Sequence, residues 1–196
     1  MLSGYAVNSV SPEETRILGA ALAPLLLPGD VISLSGDLGA GKTVFVQGVA
    51  AALGVERPVT SPSFAIVHEY AGRYKIVHVD VYRLDSFQEV LDLGFEELMD
   101  PSAILIVEWG DAVSPLLPSR YLQVYIRRSA EGGEQNREVV FKPFGSEWMR
   151  KLEGMRSTAE TLLDAASAES VGPRFVNLAD VAPRDHRRSK EPPAEG

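Results

Sequence analysis

At 196 residues and 45% hydrophobic content, the chain is long enough for one domain with a sizeable core and a tail. A net charge of −8 argues against gripping nucleic acid unaided, because non-specific binding needs clustered Lys and Arg, and the absence of cysteine excludes disulfides, thiolate chemistry and Cys-based zinc sites. The most apolar run, Gly19 to Leu27, is short and holds Pro24, so neither a signal peptide nor a membrane-spanning segment is expected.

In chain order, Gly4 to Val10 reads as a first strand. Ser11-Pro12-Glu13-Glu14 then opens a helix to about Leu27, with Ser at the N-cap, Pro at the first helical position and Glu three residues after the cap. Ser11 is read first as a cap and alternatively as a base or ribose contact. Asp30 to Ser35 is an apolar strand candidate, and Thr43 to Leu53 a helix that Gly54 stops.

Between them, Gly36-Asp37-Leu38-Gly39-Ala40-Gly41-Lys42-Thr43 fills every fixed position of the phosphate-binding pattern G-x-x-x-x-G-K-[ST]. Glycines let successive N–H groups turn inward as an anion nest, a lysine at the position of Lys42 reaches the β- and γ-phosphates, and a hydroxyl at Thr43 ligates Mg²⁺. A strand before and a helix after are the context this motif requires, so the stretch reads as a nucleoside triphosphate site.

Thr60-Ser61-Pro62-Ser63-Phe64 gathers three hydroxyls around a proline, a turn entering a strand. Phe64 to Tyr70 and Tyr74 to Tyr82 form a hairpin across Ala71-Gly72-Arg73. In its second arm, alternation puts Val77, Val79 and Val81 on one face and His78, Asp80 and Tyr82 on the other. Ser86 to Leu93 and Phe95 to Met99 read as short helices. Ala103 to Val107 is a continuous apolar run expected of a buried parallel strand, ending in Glu108-Trp109, where a nucleotide-binding sheet carries its Mg²⁺-side acid. Tyr121 to Arg127 and Arg137 to Phe144 read as a late antiparallel hairpin around Arg128 to Asn136. Trp148, Leu152, Met155, Ala159 and Leu162 then recur at helical spacing, a core-packing stripe. Beyond Ser167 the chain is rich in Pro, Arg, Ser, Asp and Glu, so disorder is expected to Gly196, with Arg184, Arg187, Arg188 and Lys190 read first as a solvated charge run and alternatively as an RNA contact.

Phosphate loop, TSPSF at Thr60 to Phe64, HVDVYRL at His78 to Leu84 and EW at Glu108-Trp109, in this order and spacing, resemble the TsaE (YjeE) family. These are bacterial ATPases required for making threonylcarbamoyladenosine in tRNA. The resemblance spans about Gly4 to Phe144 and leaves the later helix and tail outside it. It implies that Asp37, Leu38, Gly39, Ala40, Gly41, Lys42 and Thr43 hold ATP, that Thr43 and Glu108 bind Mg²⁺, and that Asp80 is needed for hydrolysis. The residues themselves leave open whether Asp80 orients water or supports the metal from one bond further out. Thr60, Ser61 and Ser63 would form a nucleotide-sensing loop, Arg83 a structural partner for a carboxylate, and Trp109 either a stacking or partner-facing residue or a core residue. Implied partners are threonylcarbamoyl-transferase proteins of the TsaD and TsaB type, with tRNA met only indirectly, in the cytoplasm.

The fold expected is an α/β P-loop three-layer sandwich with a mixed, mainly parallel sheet and an antiparallel hairpin near its end. Residues 1–145 would be the ATPase domain, 146–168 a helical extension and 169–196 a tail. Lys42, Asp80 and Glu108 are the candidate catalytic residues. The rival function is a small-molecule or nucleoside kinase, but no arginine-bearing lid lies between Asp85 and Pro101. A regulatory GTPase lacks support because N-K-x-D is absent, and a nucleotide-dependent binding module overlaps the family picture.

Overall fold

A computed structural model describes residues 4–84, 87–129, 133–166 and 175–178. Strand β1 (Tyr5–Ser9) leads into helix α1 (Pro12–Leu22), whose start is fixed by the Ser11 cap and by Glu14 reaching back to the residue before that cap. Glu14 N donates to Ser11 Oγ at 3.2 Å, and Val10 N donates to Glu14 Oε2 at 2.8 Å. The helix ends earlier than the expected Leu27: Pro24 cannot continue the i→i−4 ladder, and the chain passes into a 3₁₀ turn at Ala23–Leu25. Then follow β2 (Val31–Ser35) and α2 (Lys42–Ala52), β3 (Val67–Tyr70), β4 (Lys75–Asp80), the short helices α3 (Phe87–Asp92) and α4 (Phe95–Leu98), and β5 (Ala103–Glu108). The hairpin β6 (Tyr121–Arg128) and β7 (Arg137–Phe144), helix α5 (Ser146–Ala166) and β8 (Phe175–Asn177) complete the order.

The eight strands form one sheet in the order β3-β4-β5-β2-β6-β7-β1-β8. Its centre, β4-β5-β2-β6, is parallel, while β3, β7 and β8 run the opposite way to the other five, which is the mixed, mainly parallel sheet expected. Two cores lie on its faces, giving three layers. On one, Leu18, Leu22, Phe45, Val46 and Val49 of α1 and α2 meet Ile32, Leu34, Ile76, Ile104 and Ile106. On the other, Val90 and Phe95 of α3 and α4 meet Val77, Val79, Leu105 and Val107. The α1–α2 contact is tight at Gly48, where a Cβ would come within 2.0 Å of the Arg16 carbonyl oxygen.

Strand parity therefore decides which side chains reach the α2 face at the carboxyl ends of the parallel strands. The parity that buries Ile76 beneath α2 sends His78 and Asp80 the same way, and that of Ile104 and Ile106 does so for Glu108. Asp80 and Glu108 are register partners, and Glu108 is also opposite Leu34, just before the phosphate loop. This strand-end crevice is where open α/β sheets place ligands.

Two expectations fail near the C-terminus. In α5 the buried stripe is Trp148, Leu152, Met155, Ala159 and Leu163; Leu162, expected in it, is exposed. Three and four residues are equally good helical steps, and the core selects the latter from Ala159. The helix joins the core beside α1, with Lys151 held by Asp30 at 2.5 and 2.7 Å. Secondly, Phe175–Asn177 is a strand where disorder was expected. The unsatisfied edge of β1 supplies backbone partners, and Phe175 packs edge-on against Tyr5 with centroids 5.2 Å apart. Residues 167–174 and 179–196, including the basic run Arg184 to Lys190, lie outside the described residues, as do Ser86 and part of the Arg128 to Asn136 loop.

Candidate active site

The phosphate loop links β2 to α2. Gly36 adopts φ 135°, and a Cβ there would lie 1.9 Å from the Ile126 carbonyl oxygen, so only glycine lets the loop leave the sheet beside β6. Gly41, at φ 109°, caps α2, and Lys42 and Thr43 form its first turn. The helix consequently presents its unpaired N–H groups and positive end to the crevice.

Lys42 Nζ donates to the carbonyl oxygens of Gly36 at 2.7 Å and Asp37 at 2.9 Å, and lies 3.8 Å from the Trp109 ring centroid. Burial pushes its pKa below the ordinary lysine range, while the carboxylates of Glu108 and Asp80 act in the opposite sense. Trp109 follows β5 with φ 61°, a left-handed backbone that costs a bulky residue on the order of 1–3 kcal/mol. Its ring is partly buried, facing Lys42 and tilted by 35° against the half-exposed Tyr82, with centroids 4.8 Å apart. Trp109 thus packs against the second core cluster on one side and borders the cavity beside Lys42 on the other.

Thr43 Oγ1 donates to Glu108 Oε1 at 2.8 Å, uniting the two candidate metal ligands. The same oxygen meets His78 Nε2 at 2.9 Å. Next to it, Asp80 Oδ2 accepts from Ser61 Oγ at 2.7 Å and Ser63 Oγ at 2.8 Å, and Oδ1 accepts from Tyr82 N at 3.0 Å. Both carboxylates are 3% exposed. The hydroxyl loop is thus fastened to the β4 carboxylate.

Thr60 is placed differently from its two companions. It is exposed, and its backbone N–H and carbonyl both bond to the Tyr70 hydroxyl, so it anchors the loop without lining the cavity. Past Ser63 the chain turns rather than extending from Phe64 as expected: Ile66 takes φ 67°, its N–H donates to Pro62 O at 2.6 Å, and β3 begins at Val67. Phe64 is left 88% exposed, with the Arg83 guanidinium 4.3 Å from its ring centroid, an aromatic partner for Arg83 where a carboxylate was expected.

A cavity of about 310 Å³ is lined by Leu38, Gly39, Gly41, Lys42, Thr43, Val44, Ser61, Ser63, Asp80, Tyr82, Glu108 and Trp109. It brings together Lys42, Thr43, Asp80, Glu108 and most of the loop. Asp37 contributes its carbonyl to Lys42, and Ala40 is buried with its carbonyl oxygen accepting from Arg137 Nε at 2.9 Å. Ser11 is engaged as the α1 cap and is not part of this lining. His78 and Arg137 were given no role by sequence reasoning. His78 was visible on the polar face of β4, whereas nothing local to Arg137 signals that β7 begins beside the phosphate loop.

Among the lining residues, two carboxylates oppose one ammonium, a surplus of negative charge suited to a divalent cation. Hard oxygen donors from Thr43 and Glu108 match Mg²⁺, which takes one or two protein ligands and leaves its other positions to phosphate and water. Among the described residues no cluster of three or more His, Asp or Glu is arranged to hold a metal alone.

The family model for the threonylcarbamoyl adenosine biosynthesis protein TsaE matches residues 9–139. A tRNA threonylcarbamoyladenosine biosynthesis protein TsaE from Bacillus subtilis is 40% identical over 142 residues, covering 72% of this chain and 87% of that protein. One of the same description from Treponema pallidum is 38% identical over 132 residues, covering 67% of this chain and 96% of its own length. In structure, the chain is similar to crystalline Bacillus subtilis YdiB, with a TM-score of 0.67 and 35% identity over 78% of this chain and 93% of that one.

Proposed function

This chain belongs to the TsaE family of threonylcarbamoyl adenosine biosynthesis proteins, and we propose that within that process it is the Mg²⁺-dependent ATPase subunit, acting in the cytoplasm through a complex with TsaD- and TsaB-type proteins. The observation that carries this reading is the meeting of Thr43 and Glu108 at 2.8 Å beside Lys42, with Asp80 as the register partner of Glu108. Together these supply a cation for phosphate oxygens, two oxygen ligands for a metal and a second carboxylate in one small cavity.

Mg²⁺, when bound by Thr43 and Glu108, would neutralise charge on the β- and γ-phosphates. The chain's own residues do the rest. Lys42, now resting on two carbonyl oxygens, exchanges those neutral acceptors for charged phosphate oxygens, a stronger bond for an ammonium. Asp80 accepts hydrogen bonds, and its place at the cavity wall suits it to orient the attacking water. That work competes with its bonds to Ser61 and Ser63. A γ-phosphate that accepts from the hydroxyls, or an attacking water that donates to Asp80, loosens the loop, and its departure lets the bonds reform. The loop is then the element by which partners distinguish the nucleotide states, a distinction that needs unequal affinity for the two arrangements.

No helix of the described residues is long and apolar enough to cross a membrane, and α3 and α4, where a kinase would carry its acceptor lid, contain no arginine. The lack of arginine in α3 and α4 favours hydrolysis over transfer to a small acceptor. The test is phosphate release from ATP by the purified protein, alone and with its TsaD- and TsaB-type proteins, with and without Mg²⁺. Slow Mg²⁺-dependent release that the partners modulate supports the reading; absence of release in every condition refutes it.

A further inference from the structure

His78 is fully buried on the central strand β4, and a histidine there needs an account. Its Nε2 meets Glu108 Oε1 at 2.9 Å, while Nδ1 has no hydrogen-bond partner. With one nitrogen facing a carboxylate and the other bare, the geometry places the hydrogen-bond donor at Nε2, because a carboxylate oxygen accepts and a buried bare N–H at Nδ1 would be rarer and costlier than a bare lone pair. The Nδ1 orphan is a standing cost, which a Phe or Leu would avoid. Something must be gained at Nε2.

The gain is legible at Glu108. Thr43 Oγ1 and His78 Nε2 both converge on Oε1. Among the described residues Oε2 has no protein donor, and it is not one of the sealed, unpartnered atoms, so it remains open to the cavity that Glu108 lines. With Thr43 alone, one rotatable hydroxyl would hold a carboxylate free to swivel about its terminal torsion. A second, ring-fixed donor from the neighbouring strand sets the carboxylate plane.

We propose that His78 is a positioning residue: its Nε2–H fixes Glu108 through Oε1 so that Oε2 is presented to a divalent cation in the nucleotide site. The proposal rests on the Mg²⁺-dependent reading of the site. It also explains why His78 and Asp80 share a face of β4, one supporting the metal-side acid and the other holding the loop.

The test compares three substitutions by calorimetric binding of a nonhydrolysable ATP analogue, with and without Mg²⁺. His78→Phe keeps the ring volume, His78→Asn offers an amide nitrogen near the Nδ1 position, and His78→Gln reaches the Nε2 position. Expected is an approximately 10–100-fold loss of Mg²⁺-dependent affinity in the Phe and Asn variants, the usual effect of removing a partner that orients a metal ligand, with metal-free affinity unchanged. The Gln variant should restore most of the Mg²⁺ effect. A purely structural His78 predicts instead that Phe leaves the Mg²⁺ effect intact, and that result, or equal impairment by Gln and Phe, overturns the proposal. Nitrogen-15 spectra of His78 in the nucleotide-free wild-type protein give a reading that needs no variant to fold: Nε2–H supports the proposal, and Nδ1–H overturns it. Wild-type protein whose analogue binding ignores Mg²⁺ would refute the ATPase reading itself, whatever the tautomer.

Discussion

Replacing Asp80 separates its observed fastening of the loop from its proposed part in hydrolysis. Asp80→Ala removes an acceptor of three hydrogen bonds at 2.7, 2.8 and 3.0 Å from a side chain only 3% exposed. Bonds to a charged acceptor contribute about 1.5–3 kcal/mol each, but here the freed donors border a cavity where water re-solvates them, and removing one of two adjacent carboxylates relieves repulsion with Glu108, so the net loss is about 2–4 kcal/mol. In a chain of this size that lowers Tm by about 5–15 °C. Asp80→Asn keeps the shape, and the Ser61 and Ser63 hydroxyls rotate to accept from its amide, so its stability stays within about 1 kcal/mol of wild type. Both variants lose the carboxylate and with it about 100-fold or more of the hydrolysis rate, while ATP affinity is retained. The assays are thermal unfolding, calorimetric ATP binding and phosphate release on the same preparations. Wild-type hydrolysis by the Asn variant, or an Ala variant as stable as wild type, would refute the reasoning.

Lys42→Ala should abolish hydrolysis and weaken ATP binding about 100-fold, since it removes the cavity's cation and its charge-assisted bonds. Because burial lowers the pKa of Lys42, ATP affinity of the wild type should decline with rising pH before the ordinary lysine range is reached, as the ammonium loses its proton; affinity that is flat up to that range contradicts this. Glu108→Ala should lose Mg²⁺ dependence together with activity, checked by titrating Mg²⁺ in the release assay. Phe175→Ala should cost about 2–3 kcal/mol in urea unfolding, from lost burial and the ring contact with Tyr5, whereas Val176→Ala, 45% exposed on the same strand, should cost under about 0.5 kcal/mol. A truncation removing Gly172 to Gly196 must therefore destabilise the fold.

Why the crevice was readable and the C-terminus was not follows from how far each signal reaches along the chain. The phosphate loop is local: glycines, Lys42 and Thr43 carry their geometry within eight residues, and strand parity alone puts Asp80 and Glu108 on the α2 face. Their partners are not local. Ser61 and Ser63 reach Asp80 across 19 and 17 positions, and His78 reaches Glu108 across 30, so the composition of a turn or strand cannot announce them. Arg137 meets Ala40 across 97 positions, a contact set by where β7 lies in the sheet. At β8 the polar character of the surrounding tail masked a three-residue strand whose stability is borrowed from the open edge of β1. Leu163 displaced Leu162 for a related reason, since which step of a helix is buried depends on what lies opposite.

The central claim is that nucleotide hydrolysis at this site sustains threonylcarbamoyladenosine formation, and its most direct measurement is the threonylcarbamoyladenosine content of tRNA in cells depleted of this protein and then supplied with wild-type or Lys42→Ala chain. The account predicts that the modification falls on depletion, returns with the wild type and does not return with the variant. Undiminished modification after depletion, or full recovery with Lys42→Ala, would contradict it.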